Sequence, residues 1–393
     1  MTAGKRLPGF CAMAAMLTVL LFFFSSSCLL WIMLILLGAA AASAGLLWLD
    51  SRRLQLDLQV ASGGRAGQPL PLTLKTGCTG TFWAADRMTV ELDVISTMFG
   101  MTEHRQLTIP LKNGKESFAV TIMTELCGET RLCCTEVRVQ DSLQLFQFRC
   151  THFTEVRTVL YPQPAELELR LSRDTVGAAD VEGMMQNRQG NDPSEIFDIR
   201  EYVPGDDIRS IHWKLSCKTD TLIVRQASDP SHYDVVLLPD IGFNHSNLCP
   251  TNEELNSAVA VTIALGEQLL QQGTAFCMAI PTRKGLHLQE IRSLRELHNF
   301  VPQWLGVAVQ QQSGIGLQCF QTEPWEQHFT RLLVTSAGKH MHDLSGLERR
   351  IGVTVISTTQ ETTVPVYSKL GFSCEAVLLP ATPQRGEISR IIC

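Results

Sequence analysis

An uninterrupted apolar block opens the chain, with no charged residue between Leu7 and Leu49. A bilayer core of about 30 Å takes about 20 helical residues, so the block is long enough for two spans. Candidate spans are Leu7–Phe24 and Cys28–Leu49, with Ser25, Ser26 and Ser27 serving as the turn of a tight hairpin. A cleaved signal peptide is the rival reading. Ala39–Ala44 offers small residues for cleavage, but the apolar run ahead of it exceeds the about 7–15 residues of such a segment. The hairpin is preferred.

After Arg53 the period becomes two. Leu54, Leu56, Leu58 and Val60 alternate with polar residues, as in a half-buried strand. Further runs predict strands over Leu70–Lys75, Met88–Ile95, Gln106–Leu111, Ser117–Thr124, Arg131–Val139 and Val156–Leu160. Asn113-Gly114 between Leu111 and Phe118 predicts a hairpin. Short strands at this spacing suggest an immunoglobulin-like β-sandwich. Tyr161-Pro-Gln-Pro164 closes it, and a connector without periodicity follows.

From Tyr233 the pattern changes again. Asp234–Leu238 is a continuous apolar run, expected of a strand buried on both faces. Thr251-Asn-Glu-Glu254 is a capping box opening a helix to about Gln272. Thr274–Ile280, Arg331–Thr335 and Val353–Ser357 predict strands; Leu288–Phe300 and Asp343–Arg350 predict helices. Alternating strands and helices imply a parallel sheet with helices on its faces. The expected organisation is a transmembrane hairpin over 1–53, a β-sandwich over 54–164, a connector and charged segment over 165–232, and a Rossmann-like α/β domain over 233–393.

Composition adds three constraints. The net charge of -6 argues against nucleic acid as a partner of the whole chain. Lys5 and Arg6 precede the apolar block and Arg52 and Arg53 follow it. Positive residues stay on the cytoplasmic side, so both ends of the hairpin and the domains beyond it are expected there. The 13 cysteines form no C-x-x-C pair or zinc spacing, which fits inert thiols in a reducing compartment.

The densest polar chemistry lies in Glu195–Lys214. Arg200, Glu201, Asp206, Asp207, Arg209, His212 and Lys214 surround the turn at Pro204-Gly205, interleaved with apolar residues. Asp206, Asp207 and His212 are candidates for an acid/base group. Ligand or metal binding is a further reading. The preferred one is structural: a hydrogen-bonded network pinning the loop, Trp213 supplying apolar mass beneath it, and a surface a partner reads.

The residues Ile199-Arg200-Glu201-Tyr202-Val203-Pro204-Gly205-Asp206-Asp207-Ile208-Arg209-Ser210-Ile211-His212-Trp213-Lys214, with Leu222-Ile-Val224-Arg225, resemble the signature of a bacterial domain-of-unknown-function family, number fifty-eight in its series. A weaker likeness runs from Cys127-Gly-Glu-Thr to Val139-Gln-Asp141-Ser-Leu143-Gln-Leu145-Phe146. The resemblance implies a membrane hairpin, a β-domain, the signature segment and a von Willebrand factor A-like domain. Such proteins are commonly encoded beside a MoxR-type AAA ATPase and a membrane protein with a transglutaminase-like domain. This implies a bacterial cell-membrane adaptor or scaffold working with that ATPase, not an enzyme.

A von Willebrand A domain with a metal site carries Asp-x-Ser-x-Ser after its first strand, whose oxygens suit Mg²⁺. Here the strand ends Leu238-Pro239-Asp240-Ile-Gly242-Phe-Asn244-His-Ser246. Asp240 is in place, but Gly242 offers no ligand, so the fold is expected to be kept with the metal site lost or weakened. A Mg²⁺-dependent protein-binding module is the alternative function, and a hydrolase centred on Asp206, Asp207 and His212 a third. His340, His342 and Asp343 read as a solvated helix start more than a metal site. The chain has no P-loop, no nucleophile elbow and no His-Glu-x-x-His helix.

Overall fold

The computed structural model describes residues 2–24, 27–78, 81–111, 116–150, 154–170, 189–202, 211–219, 221–228, 235–243, 249–310, 312, 314–322, 329, 331–338, 352–369, 374–381 and 389–392. The chain forms two compact units. One is Met1–Gln163 with Phe300–Val309, the other Pro164–Asn299 with Gln310–Cys393.

The first unit opens with a two-residue strand β1 (Thr2–Ala3), then helices α1 (Leu7–Phe24) and α2 (Ser27–Arg53) packed on each other. Both are long and apolar enough to cross a membrane. Among the described residues nine strands follow: β2 (Leu54–Val60), β3 (Gly63–Arg65), β4 (Pro69–Cys78), β5 (Ala85–Ser96), β6 (Thr102–Pro110), β7 (Glu116–Met123), β8 (Gly128–Asp141), β9 (Phe146–Cys150) and β10 (Thr154–Tyr161). They make two sheets. One has the order β1-β9-β8-β10-β3, with β5 also on β8 and β6 on β5; the other is β2-β4-β7. Leu58, Leu72, Leu74 and Ile122 from the small sheet share one core with Met88, Val90, Leu92, Leu132 and Val137 from the large one. That shared core makes the unit a β-sandwich.

The apolar alternation located β2, β4, β5, β6, β7, β8 and β10 within a few residues, and missed the short strands β3 and β9. The hairpin expected at Asn113-Gly114 is not made, because β6 pairs with β5 while β7 pairs with β4 in the other sheet. The turn itself lies outside the described residues. Adjacent Cys133 and Cys134 split between faces, Cys134 buried and Cys133 half-buried, as the pleat requires.

Two buried carboxylates join α2 to the sandwich. Asp50 Oδ2 accepts the backbone N–H groups of Trp83, Ala84 and Ala85 at 2.9, 2.8 and 3.0 Å. Asp141 accepts from the Ser43 hydroxyl at 2.8 Å and, through its other oxygen, from the Phe146 N–H at 2.8 Å. Ala40, Ser43, Leu47 and Asp50 are the buried residues of α2, spaced as one helical stripe. The chain's start is fastened to the same sheet: Thr2 and Ala3 pair with Gln147 and Phe146, and Gly4 N–H donates to Leu145 O at 2.8 Å.

The second unit begins with β11 (Leu167–Arg170), β12 (Gln189–Glu201), the short helix α3 (Trp213–Thr219) and β13 (Ile223–Ser228). Its main sheet uses β14 (Val235–Pro239), β15 (Phe276–Thr282), β16 (Gly285–Ile291), β17 (Arg331–Ala337), β18 (Gly352–Thr359), β19 (Val366–Lys369) and β20 (Cys374–Pro380); β21 (Ser389–Ile392) pairs with β11. The order is β16-β15-β14-β17-β18-β20-β19, parallel except for the edges β16 and β19.

Helix α4 (Asn252–Gln271) packs on β14, β15, β17 and β18, and α6 (Ile315–Thr322) on β14, β15 and β16. In β14, Val236 and Leu238 join Leu317 and Phe320 of α6 in one cluster. The expected capping box starts α4: Thr251 Oγ1 accepts from Glu254 N–H at 3.3 Å and Glu254 Oε2 from Thr251 N–H at 2.9 Å. The helix expected over Leu288–Phe300 is a correction. Leu288 lies in edge strand β16, and α5 (Leu294–Leu305) begins only after Ser293, whose hydroxyl accepts the Glu296 N–H at 3.3 Å. The helix expected over Asp343–Arg350 lies outside the described residues.

Candidate functional site

The two ends of the signature segment meet as a ladder. Ile199, Arg200 and Glu201 pair antiparallel with Arg225, Val224 and Ile223. Tyr202 N–H donates to Leu222 O at 2.8 Å, and His212 N–H to Ile223 O at 2.7 Å. An isolated bridge joins Ile211 to Val224. The segment thus folds back on itself, with 222–225 between two flanking passes of chain. Pro204, Gly205, Asp206, Asp207 and Arg209 lie outside the described residues, as do His340, His342 and Asp343.

His212 works as a helix cap. Its Nδ1 accepts the Leu215 N–H at 3.3 Å and its carbonyl accepts from Ser216 N–H at 3.0 Å, which satisfies orphan donors of α3. The accepting Nδ1 leaves Nε2 to carry the hydrogen of the neutral ring. Ser216 completes the knot: its hydroxyl donates to His212 O at 3.1 Å and accepts the buried Ile223 N–H at 2.9 Å. Trp213 is 58% exposed at the first position of α3, with Lys214 also exposed, while Ile211, Ile223 and Val224 are buried; the loop that Trp213 is expected to underlie is outside the described residues. A residue at the start of a short helix points outward unless a partner element covers it, and residue type alone does not reveal that.

The second constellation sits at the carboxyl end of β14. From this strand the chain builds β15 and β16 on one side and β17, β18 and β20 on the other. Open α/β sheets bind ligands at such a switch point. Asp240 follows β14 directly and is 3% exposed. Its Oδ1 accepts from Gly316 N–H at 3.2 Å and its Oδ2 from Leu317 N–H at 3.4 Å. The carboxylate therefore caps the start of α6 from another element. Burial pushes its pKa up to about 6, and N–H bonds from Gly316, Leu317 and Gly314 hold back a larger rise.

Two observations bear on a divalent cation at the described part of this site. Both Asp240 oxygens face backbone N–H donors. A Cβ at Gly242 would stand 2.5 Å from Gln312 O and 2.9 Å from Gln310 O, so this position has no room for a hydroxyl ligand. Among the described residues no three His, Cys, Asp or Glu side chains group as a metal site. Asn244 and Ser246 lie outside the described residues.

Hydroxyls line the same sheet end and are satisfied internally. Thr262 meets Thr335 at 2.6 Å, Ser336 meets Ser357 at 2.7 Å, and Thr358 donates to Glu254 O at 2.8 Å. Glu254 Oε1 also accepts from Gln360 N–H at 2.9 Å. Sequence reasoning missed this polar ladder and the paired roles of Asp50 and Asp141. The available signal for Asp50 was its place as the first charge after the apolar block.

The chain thus combines two apolar N-terminal helices, a β-sandwich and a largely parallel α/β unit. Residues 198–312 match the family model described as Protein of unknown function DUF58, which supports that family for this chain. No curated protein shows a significant match. Among solved structures, the PKD domain of an M14-like peptidase from a Thermoplasmatales archaeon is 14% identical, covering 27% of this chain and 91% of its own at a TM-score of 0.19. A cohesin module from a Clostridium perfringens family 33 glycoside hydrolase is 10% identical, with coverages of 28% and 96% and a TM-score of 0.21. The CARDB domain of a Pyrococcus furiosus protein, in complex with di-metal ions, is 8% identical, with coverages of 27% and 91% and a TM-score of 0.20.

Proposed function

We propose that this protein is a non-enzymatic scaffold or adaptor, anchored in a bacterial cell membrane, that works with a MoxR-type AAA ATPase in assembling envelope or membrane complexes. The observation that carries this reading is what the polar side chains do. His212 caps α3, Asp240 caps α6, and Asp50 and Asp141 fasten α2 to the sandwich. Groups that a catalyst would keep for a substrate are committed to backbone and hydroxyl partners. In this reading α1 and α2 cross the bilayer, and the flanking Lys5, Arg6, Arg52 and Arg53 keep both soluble units on the cytoplasmic side.

The β unit is read as immunoglobulin-like and the α/β unit as von Willebrand factor A-like. The switch point at β14 and the sheet order support the second assignment. The ATPase partner rests on the resemblance of the signature segment alone. The test is purification of the full chain from native membranes in mild detergent. The neighbouring ATPase should co-purify; its clean absence, while present in the lysate, sinks the adaptor reading.

A further inference from the structure

We propose that the end of the sandwich carrying Trp83 and Leu143 lies in the headgroup layer of the membrane that α1 and α2 cross, so that the β unit is a second, peripheral membrane contact. The proposal rests on the reading of those helices as spans.

Residues 83–85 and the turn after β8 are neighbours at one end of the larger sheet, since Ser142 N–H donates to Ala84 O at 3.1 Å. Both are pinned to α2, Ala84 through Asp50 and the β8 end through Asp141 and Ser43. Ser43 and Asp50 lie about 24 Å and 35 Å along α2 from Ser27, at about 1.5 Å per residue. A hydrocarbon core of about 30 Å ends between them. The geometry therefore holds this end of the sandwich at the depth where acyl chains give way to headgroups.

The side chains there suit that layer. Trp83 is 55% exposed, Leu143 48% and Trp48 43%. Arg53 stacks over the Trp83 ring at 4.8 Å and Arg52 over the Trp48 ring at 4.1 Å. Tryptophan with an apolar body and a polar edge favours the interface, and arginine beside it meets lipid phosphate. Exposed apolar surface next to a span needs no protein partner when the bilayer itself covers it. The continuous helix, not a separate binding event, delivers this surface to the lipid.

The experiment uses the full chain reconstituted in phosphatidylcholine–phosphatidylglycerol vesicles containing phospholipid brominated at shallow or deep acyl positions. The Trp83 signal is the difference between the wild type and Trp83→Phe. It should be quenched by shallow bromine at least twofold more than by deep bromine. In the Trp83→Phe background, Leu143→Trp should restore a shallow-quenched signal. Quenching of the remaining tryptophans with none at Trp83 or Leu143→Trp overturns the proposal while leaving the spans intact. No quenching of any tryptophan overturns the spans and the proposal together. A Trp83 signal shielded from both brominated lipid and aqueous acrylamide assigns the surface to a second copy of the chain, which also overturns it.

Discussion

Asp50 Oδ2 stands 2.8 Å from the backbone nitrogen of Ala84, thirty-four residues away, and the same oxygen accepts from both of Ala84's chain neighbours. One carboxylate thus serves three N–H groups where α2 meets β5. Leaving buried donors without an acceptor costs about 1–3 kcal/mol each. Asp50→Ala is expected to destabilise the β unit by roughly 3 kcal/mol or more, and Asp50→Asn by less, since it keeps one carbonyl acceptor. Amide exchange at Trp83, Ala84 and Ala85 should rise in the same order. Unchanged exchange at all three would remove Asp50 from this role.

Asp240 predicts a specific dependence on pH. Its pKa in the folded protein, about 6, lies above the ordinary 3.8, so the folded state holds the proton more tightly than the unfolded chain. Its contribution to stability is fully present below about pH 4 and is lost as the pH rises through about 6. The stability of the wild type relative to Asp240→Asn should therefore fall by roughly 2 kcal/mol between pH 4 and pH 7, at about 1.4 kcal/mol per pKa unit. Denaturant titrations of both proteins across that range measure it. A flat difference would show that Asp240 titrates as in the unfolded chain.

The parts of the fold written in local pattern were legible. Alternation placed β2, β4, β5 and β8, and Thr251–Glu254 placed the start of α4. What depended on distant partners was not. The Asn113-Gly114 turn signal says that the chain reverses, but not which sheet receives β7. The apolar residues of the Leu288 region read as the start of a helix. Only its pairing with β15, Leu288 opposite Ala279, settles it as strand. Likewise Asp240 was visible as a residue, but its role comes from Gly316 and Leu317, which are seventy-six and seventy-seven positions on.

Gly242 separates sequence likeness from function. Gly242→Ser writes Asp-x-Ser back into the chain, as a metal-binding loop would have it. Its Cβ would nonetheless stand 2.5 Å from Gln312 O, a contact with backbone that cannot simply swing aside. The substitution is expected to cost about 1–3 kcal/mol, as overpacking does, and to add no Mg²⁺ affinity. Thermal unfolding with and without millimolar Mg²⁺ gives both readings. A rise in unfolding temperature with Mg²⁺, specific to the variant, would show that the backbone at Gln310 and Gln312 yields and that the ligand set was only one residue short.

Ser216 tests whether the signature segment is held as a structural knot. Its hydroxyl accepts the buried Ile223 N–H and donates in turn to His212 O. In Ser216→Ala the buried Ile223 donor loses this acceptor, at a cost of about 1–3 kcal/mol. Ser216→Thr keeps the hydroxyl and should keep most of the stability. The loss should appear first as faster amide exchange at His212 and Ile223, because those two bonds tie the outer pass of chain to 222–225. If co-purification with the ATPase weakens in Ser216→Ala and returns in Ser216→Thr, the partner reads the folded segment. If Ser216→Ala loosens the exchange and leaves partner capture unchanged, the segment serves the unit's own stability and the docking surface lies elsewhere.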